Sequence, residues 1–211
     1  MPPRKRRYSS NLRTAGAETT RTRLLSAAKI LFARKGIDRV TMEEIAEKAG
    51  VAGSTVYAAF KSKEGVLRAL TEASLFGERY RDAQALLAEV HDAAQLIRRT
   101  AHVARAIYDG ESAEMGLLRG ASSFSPALKK LEQDFEEMRF KMQEERVKLL
   151  FAQGKARTDL TVAEARRILW MYTSREVYRM LVQEGRWSSD RYQRWLGDTL
   201  VSALVNPDKV E

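Results

Sequence analysis

The chain contains no cysteine. That excludes disulfides, thiol nucleophiles and cysteine-based zinc sites, and it fits a reducing, cytoplasmic setting. Proline is almost as scarce. Pro2, Pro3, Pro126 and Pro207 are the only four in 211 residues, so long stretches carry no proline break. Long apolar runs are missing too. The apolar runs present are short, such as Leu149-Leu150-Phe151-Ala152, far below a bilayer span, so no membrane partner is expected. The basic start Met1–Arg7 is not followed by an apolar stretch, so a secretory signal is not expected. Val, Ile and Thr nowhere alternate with polar residues, which removes the strand pattern and leaves a helical period throughout.

Catalytic groupings are also lacking. The two histidines, His91 and His102, are eleven residues apart. On one helix they would stand ~16 Å from each other, too far to share a metal ion. There is no glycine-rich phosphate loop and no nucleophile elbow. No enzyme activity, metal or cofactor is expected.

What the chain does have is positive charge, unevenly placed. The net charge is +9, and residues 1–70 hold 15 Lys and Arg against 6 Asp and Glu. Residues 71–211 hold 22 of each. A polyanionic partner is therefore expected at the first third and nowhere else.

Residues 1–18 mix basic, Ser, Thr and Gly residues without a period and read as a flexible basic arm. A first helix is predicted from about Thr20 to Lys35, through Leu24, Leu25, Ala28, Leu31 and Phe32, ending at Gly36. Thr41 and Glu44 have capping-box spacing, and Met42, Ile45, Ala46 and Ala49 form the inner face of a second helix that stops at Gly50. A very short third helix covers about Gly53 to Phe60, and Ser62 caps a longer one running past Leu75.

Beyond it, helices are predicted at about 91–108, from Ser125-Pro126 to about 151, from Thr161 to Gln183 behind a second capping box, and from Ser188 onward. On the third of these, Leu169, Thr173, Glu176 and Met180 share one stripe. A carboxylate there is costly unless paired, so Glu176 is expected either to meet an arginine or to contact a ligand.

Two short helices around a tight glycine turn suit a DNA groove, because one helix enters it while the other braces the first. Here the residues are more specific than that pattern. The stretch from Thr41-Met-Glu-Glu-Ile-Ala through Gly50 and Gly53-Ser-Thr-Val-Tyr57-Ala-Ala-Phe60 to Lys61-Ser-Lys63-Glu-Gly-Val-Leu67 closely resembles the DNA-binding domain of the tetracycline-repressor (TetR) family. Leu31-Phe32-Ala-Arg-Lys-Gly36 extends the resemblance, which covers roughly Thr20 to Leu70. Gly185-Arg-Trp187-Ser188 and Trp195-Leu196 resemble the dimerisation helices of some members more loosely.

The resemblance implies an all-α fold. A helix-turn-helix domain at 19–68 would be followed by a helical effector-sensing and dimerisation domain at 69–211. It implies a homodimer on double-stranded DNA carrying a palindromic operator, usually repressing, and released by a small-molecule effector. Thr55, Tyr57 and Lys63 match phosphate-gripping positions, with Thr41 and Lys61 beside them; Gly53, Ser54, Ala58 and Ala59 match the recognition face. Val56, Phe60, Ile45 and Ala46 match core positions. The family often carries a histidine or aromatic residue where Ala58 and Ala59 stand, and glycine where Ser54 stands. Methyl groups contact thymine but make no bidentate bonds to guanine. Readout is therefore expected to lean on Ser54, Thr55, DNA shape and the arm residues Arg4, Lys5, Arg6, Arg7 and Arg13. The arm either follows the backbone or a minor groove, or adds non-specific affinity. Phe135, Met138, Met142, Tyr172 and Glu176 are the candidate effector contacts, plain core being the alternative for the Phe and Met stripe. An architectural DNA-binding protein without effector, or a helical-bundle enzyme with an incidental basic end, are the other classes left open.

Overall fold

Two Thr-x-x-Glu tetrads open helices as their spacing predicts. Thr41 Oγ1 accepts from the Glu44 amide at 3.2 Å, and the Glu44 carboxylate accepts from the Thr41 amide at 2.9 Å. Thr161 and Glu164 repeat the exchange at 3.3 and 2.8 Å. Each exchange satisfies amides that a helix leaves without an internal partner.

The structure, a computed structural model, describes residues 6–110 and 126–209. Their order is α1 (Arg6–Lys35), α2 (Met42–Ala49), α3 (Gly53–Phe60), α4 (Lys63–Leu75), α5 (Glu78–Ala88), α6 (Ala93–Asp109), α7 (Pro126–Met142), α8 (Glu144–Ala152), α9 (Val162–Tyr172), α10 (Arg175–Tyr178) and α11 (Ser189–Leu204). A π-helical segment, Arg179–Glu184, continues α10. The fold is all-α as expected: among the described residues the only extended pairing is an isolated bridge between Ala156 and Val205. None of their helices is long and apolar enough to cross a membrane.

The chain divides into two compact units. Of the described residues, the first holds 6–73 with 126–129 and the second 74–110 with 130–209. In the first, Leu24, Ala28 and Phe32 of α1 are buried with Ile45 and Ala46 of α2, Val56 and Phe60 of α3, and Val66 and Leu67 of α4. Each large side chain of this set contributes roughly 1.5–3 kcal/mol by leaving water. Helix α1 begins at Arg6, well before Thr20, and so takes in backbone that composition presents as an arm.

In the second unit Ile97, Ala101 and Tyr108 of α6 share a core with Val147 and Leu150 of α8, Leu169 of α9, and Tyr192, Leu196 and Leu200 of α11. Three expectations change here. The helix predicted across 126–151 is interrupted at Gln143, and the one across 161–183 at Thr173 and Ser174. The second break has an identifiable cause. The Thr173 hydroxyl donates to the Leu169 carbonyl at 2.7 Å and accepts from Gln143 Nε2 at 2.7 Å and Arg139 Nη1 at 2.9 Å. Ser174 then caps a new helix by accepting from the Val177 amide at 3.4 Å. The register turns at this point: Tyr178 is buried, while Glu176 and Met180 are exposed. Glu176 is therefore not a carboxylate in an apolar stripe. Third, α6 starts at Ala93, so His91 and His102 do not share a helix.

Candidate nucleic-acid interface

Gly50 ends α2 at φ 65° and ψ 43°, a left-handed conformation in which its amide reaches the carbonyls of Ala46 and Glu47. A Cβ is disfavoured there, so this position selects glycine. After two intervening residues, Val51 and Ala52, α3 begins at Gly53. Val56 and Phe60, one turn apart, bury themselves and so point the opposite surface outward. Ser54, Tyr57, Ala58 and Ala59 are exposed, and Gly53 and Thr55 half-buried. Arg21 lies 4.6 Å over the Phe60 ring, so α1 also braces this end of α3.

Several neighbours fix the rim of that surface. The Tyr57 hydroxyl donates to Glu43 Oε1 at 3.0 Å, which holds α3 to the first turn of α2 beside Thr41. That bond raises the pKa of the phenol, with desolvation adding to it. Lys35 pairs with Glu44 at 2.6 Å and is the main reason the Glu44 carboxyl sits below the usual range. Thr41 and Lys61 are exposed. Lys63 is placed differently from what its type suggests: its ammonium donates to the backbone carbonyls of Asp38 at 3.2 Å and Val40 at 3.1 Å. It ties the α1–α2 connection to the start of α4. Arg4 and Lys5 lie outside the described residues, as do the side chains of Arg6, Arg7 and Arg13.

In the second unit the five expected effector contacts differ in exposure. Phe135 is buried with its ring 6.0 Å from Phe76. Met138 is half-buried, and Met142, at the end of α7, is exposed. Tyr172 is half-buried and meets Trp195 edge-on at 6.4 Å. Glu176 faces solvent. The polar groups on the inner side are others. Arg139 donates to the Trp170 carbonyl at 2.7 Å and pairs with Glu136 at 2.5 Å. Gln143 is buried, and Arg146 Nη2 donates to Gln84 Oε1 at 3.2 Å. Gln84 in turn donates to the Tyr80 hydroxyl at 2.6 Å. Sequence reading passed over them because Glu-Glu-Met-Arg and Glu-Glu-Arg-Val look like solvated helix faces. The available signal was the three-to-four spacing of Phe135, Arg139, Gln143, Arg146 and Leu150.

Asp109 closes a separate polar cluster. It accepts from the Tyr178 hydroxyl at 2.6 Å, the Ser189 hydroxyl at 2.8 Å and Arg105 at 3.0 Å. Burial pushes its carboxyl up, but these three donors outweigh it and hold the group below the usual range. Burial and the Asp109 bond together push the Tyr178 phenol up to about 12. The cluster pins α6, α10 and α11 together.

Residues 24–70 match the family described as "Bacterial regulatory proteins, tetR family". The chain is 31% identical over 167 residues to the transcriptional repressor KstR2 of Rhodococcus jostii (strain RHA1), covering 74% of this chain and 77% of KstR2. It is 45% identical over 51 residues to the uncharacterized regulator YvkB of Bacillus subtilis (strain 168), spanning 24% of this chain but only about a quarter, 27%, of that relative. The solved SmeT–triclosan complex superposes with a TM-score of 0.65 at 20% identity, covering 90% of this chain and 93% of that one. The exposed α3 face, the glycine turn that sets it and the extended likeness to KstR2 agree: this chain belongs to the TetR family of bacterial transcriptional regulators.

Proposed function

We propose that the protein is a homodimeric, cytoplasmic repressor that binds a palindromic operator through α3 and leaves it when a small molecule occupies the second unit. The observation that carries the reading is the exposed face of α3 within the only part of the chain with excess positive charge. Ser54, Thr55, Ala58 and Ala59 read bases or shape, while Thr41, Tyr57 and Lys61 meet phosphates. A two-fold dimer sets the two α3 helices about one DNA turn apart, roughly 34–36 Å. Met171 and Met180 are large apolar residues left exposed at the end of α9 and in the π-helical segment, as contacts awaiting a second copy would be.

Release requires an effector that binds the DNA-free conformation better. A tenfold loss of affinity needs a differential of about 1.4 kcal/mol. The triclosan complex of SmeT supports small-molecule binding by this fold. Selecting bound sequences from fragments of the source genome tests the proposal: an enriched inverted repeat is expected, and enrichment without any common sequence would contradict it.

A further inference from the structure

Arg146 stands out among the interior cations. It lies on α8 between buried Gln143 and Val147 on the inner side of that helix. Its one hydrogen-bond partner among the described residues is neutral, the Gln84 side-chain carbonyl at 3.2 Å. Arg105, Arg139 and Arg166 each pair with a carboxylate, whereas no carboxylate of a described residue pairs with Arg146. Burial lowers the pKa of this guanidinium, as desolvation without a counter-ion does.

The surroundings supply matching chemistry. Gln84 is oriented by donating to the Tyr80 oxygen at 2.6 Å, which leaves the Tyr80 O–H as a further donor. Phe76 stands edge-on to Tyr80 with ring centroids 5.0 Å apart, and Phe135 continues the apolar wall 6.0 Å from Phe76. All these residues belong to the second unit. A planar guanidinium with spare N–H groups, one phenolic donor and adjoining aromatic rings complement an acceptor-only, planar anion on an apolar body.

We propose that Arg146 and Tyr80 bind the carboxylate of an apolar organic acid whose hydrocarbon body lies along Phe76 and Phe135, and that such an acid is the effector. The second half rests on the regulator reading above. The assignment does not involve Glu176, which is exposed.

Calorimetric titration of the full-length protein with decanoate and with 4-phenylbutyrate tests it, with methyl decanoate and decylamine as size-matched controls. The carboxylates are expected to bind, Arg146→Met to weaken them at least tenfold and Tyr80→Phe several-fold, with methyl decanoate moved less than twofold. Circular dichroism checks that each variant is folded; should Arg146→Met fail, Tyr80→Phe alone decides. Carboxylates that bind the variants as tightly as the parent, or that do not bind the parent at all, overturn the proposal. Release of DNA, measured with the same four compounds on selected operator DNA, separates the two claims. Release by the ester or amine but not the acids leaves the effector reading standing and sinks Arg146. Binding of the acids without release supports the site and removes their role as effectors.

Discussion

Gly65 passes so close to Phe60 that a Cβ at residue 65 would stand 1.9 Å from the Phe60 carbonyl oxygen. No side chain fits between the end of α3 and the first turn of α4, and the obstacle is backbone, which cannot swing away. Gly65→Ala is expected to cost about 2 kcal/mol or more of stability in the first unit and to weaken DNA binding with it. Gly53→Ala is the contrast. Nothing lies within 4 Å of its Cβ position, so the fold should keep or slightly gain stability while DNA affinity changes. Thermal melts and operator titrations of both variants check this.

Lysines 61 and 63 should separate. Lys63 is engaged with the Asp38 and Val40 carbonyls, whereas Lys61 is exposed. Lys63→Met is expected to lower stability by about 1 kcal/mol. Lys61→Ala should leave the melting temperature unchanged and reduce the salt slope of DNA binding by about one. The opposite assignment of the two effects would show that Lys63 turns outward onto phosphate.

The Asp109 cluster gives two pH windows. Because the Asp109 carboxyl is held below its usual value, its contribution is present at neutral pH and is lost as pH falls below about 3.9 through its folded pKa. Because the Tyr178 phenol is raised to about 12, its contribution is complete below about 10 and is lost as pH rises toward 12. Asp109→Asn should flatten the acid limb of a stability profile and Tyr178→Phe the alkaline limb. A parent profile flat in both windows would contradict the cluster's geometry.

Much of the first unit was legible because its determinants are local. Thr41 with Glu44 and Gly50 each act within one turn, and Val56 with Phe60 declares which side of α3 faces inward. Gly65 was not legible, since its constraint is the approach of another helix's carbonyl. The break at Thr173 is settled by Arg139 and Gln143, about thirty residues earlier, so a periodicity drawn along residues 161–183 carried Glu176 onto the wrong face. Arg146 was missed for the same reason: its partner Gln84 is 62 residues away.

Assembly is open to direct measurement. The 24.0 kDa chain should sediment at twice its mass at micromolar concentration without DNA. Met171→Glu with Met180→Glu, both exposed in one protomer at 47% and 49%, should yield monomers that keep their helical content. A monomeric parent would contradict the homodimer, and a variant still dimeric would place the interface elsewhere.

The central claim is sequence-specific DNA binding through α3, and the ratio of operator to non-operator affinity tests it most directly. Fluorescence anisotropy at about 150 mM salt, on a selected operator and a shuffled duplex of equal length, gives both constants. The account predicts a ratio of roughly a thousand or more, altered by Ser54→Ala. A ratio near one, indifferent to substitution on α3, would contradict it.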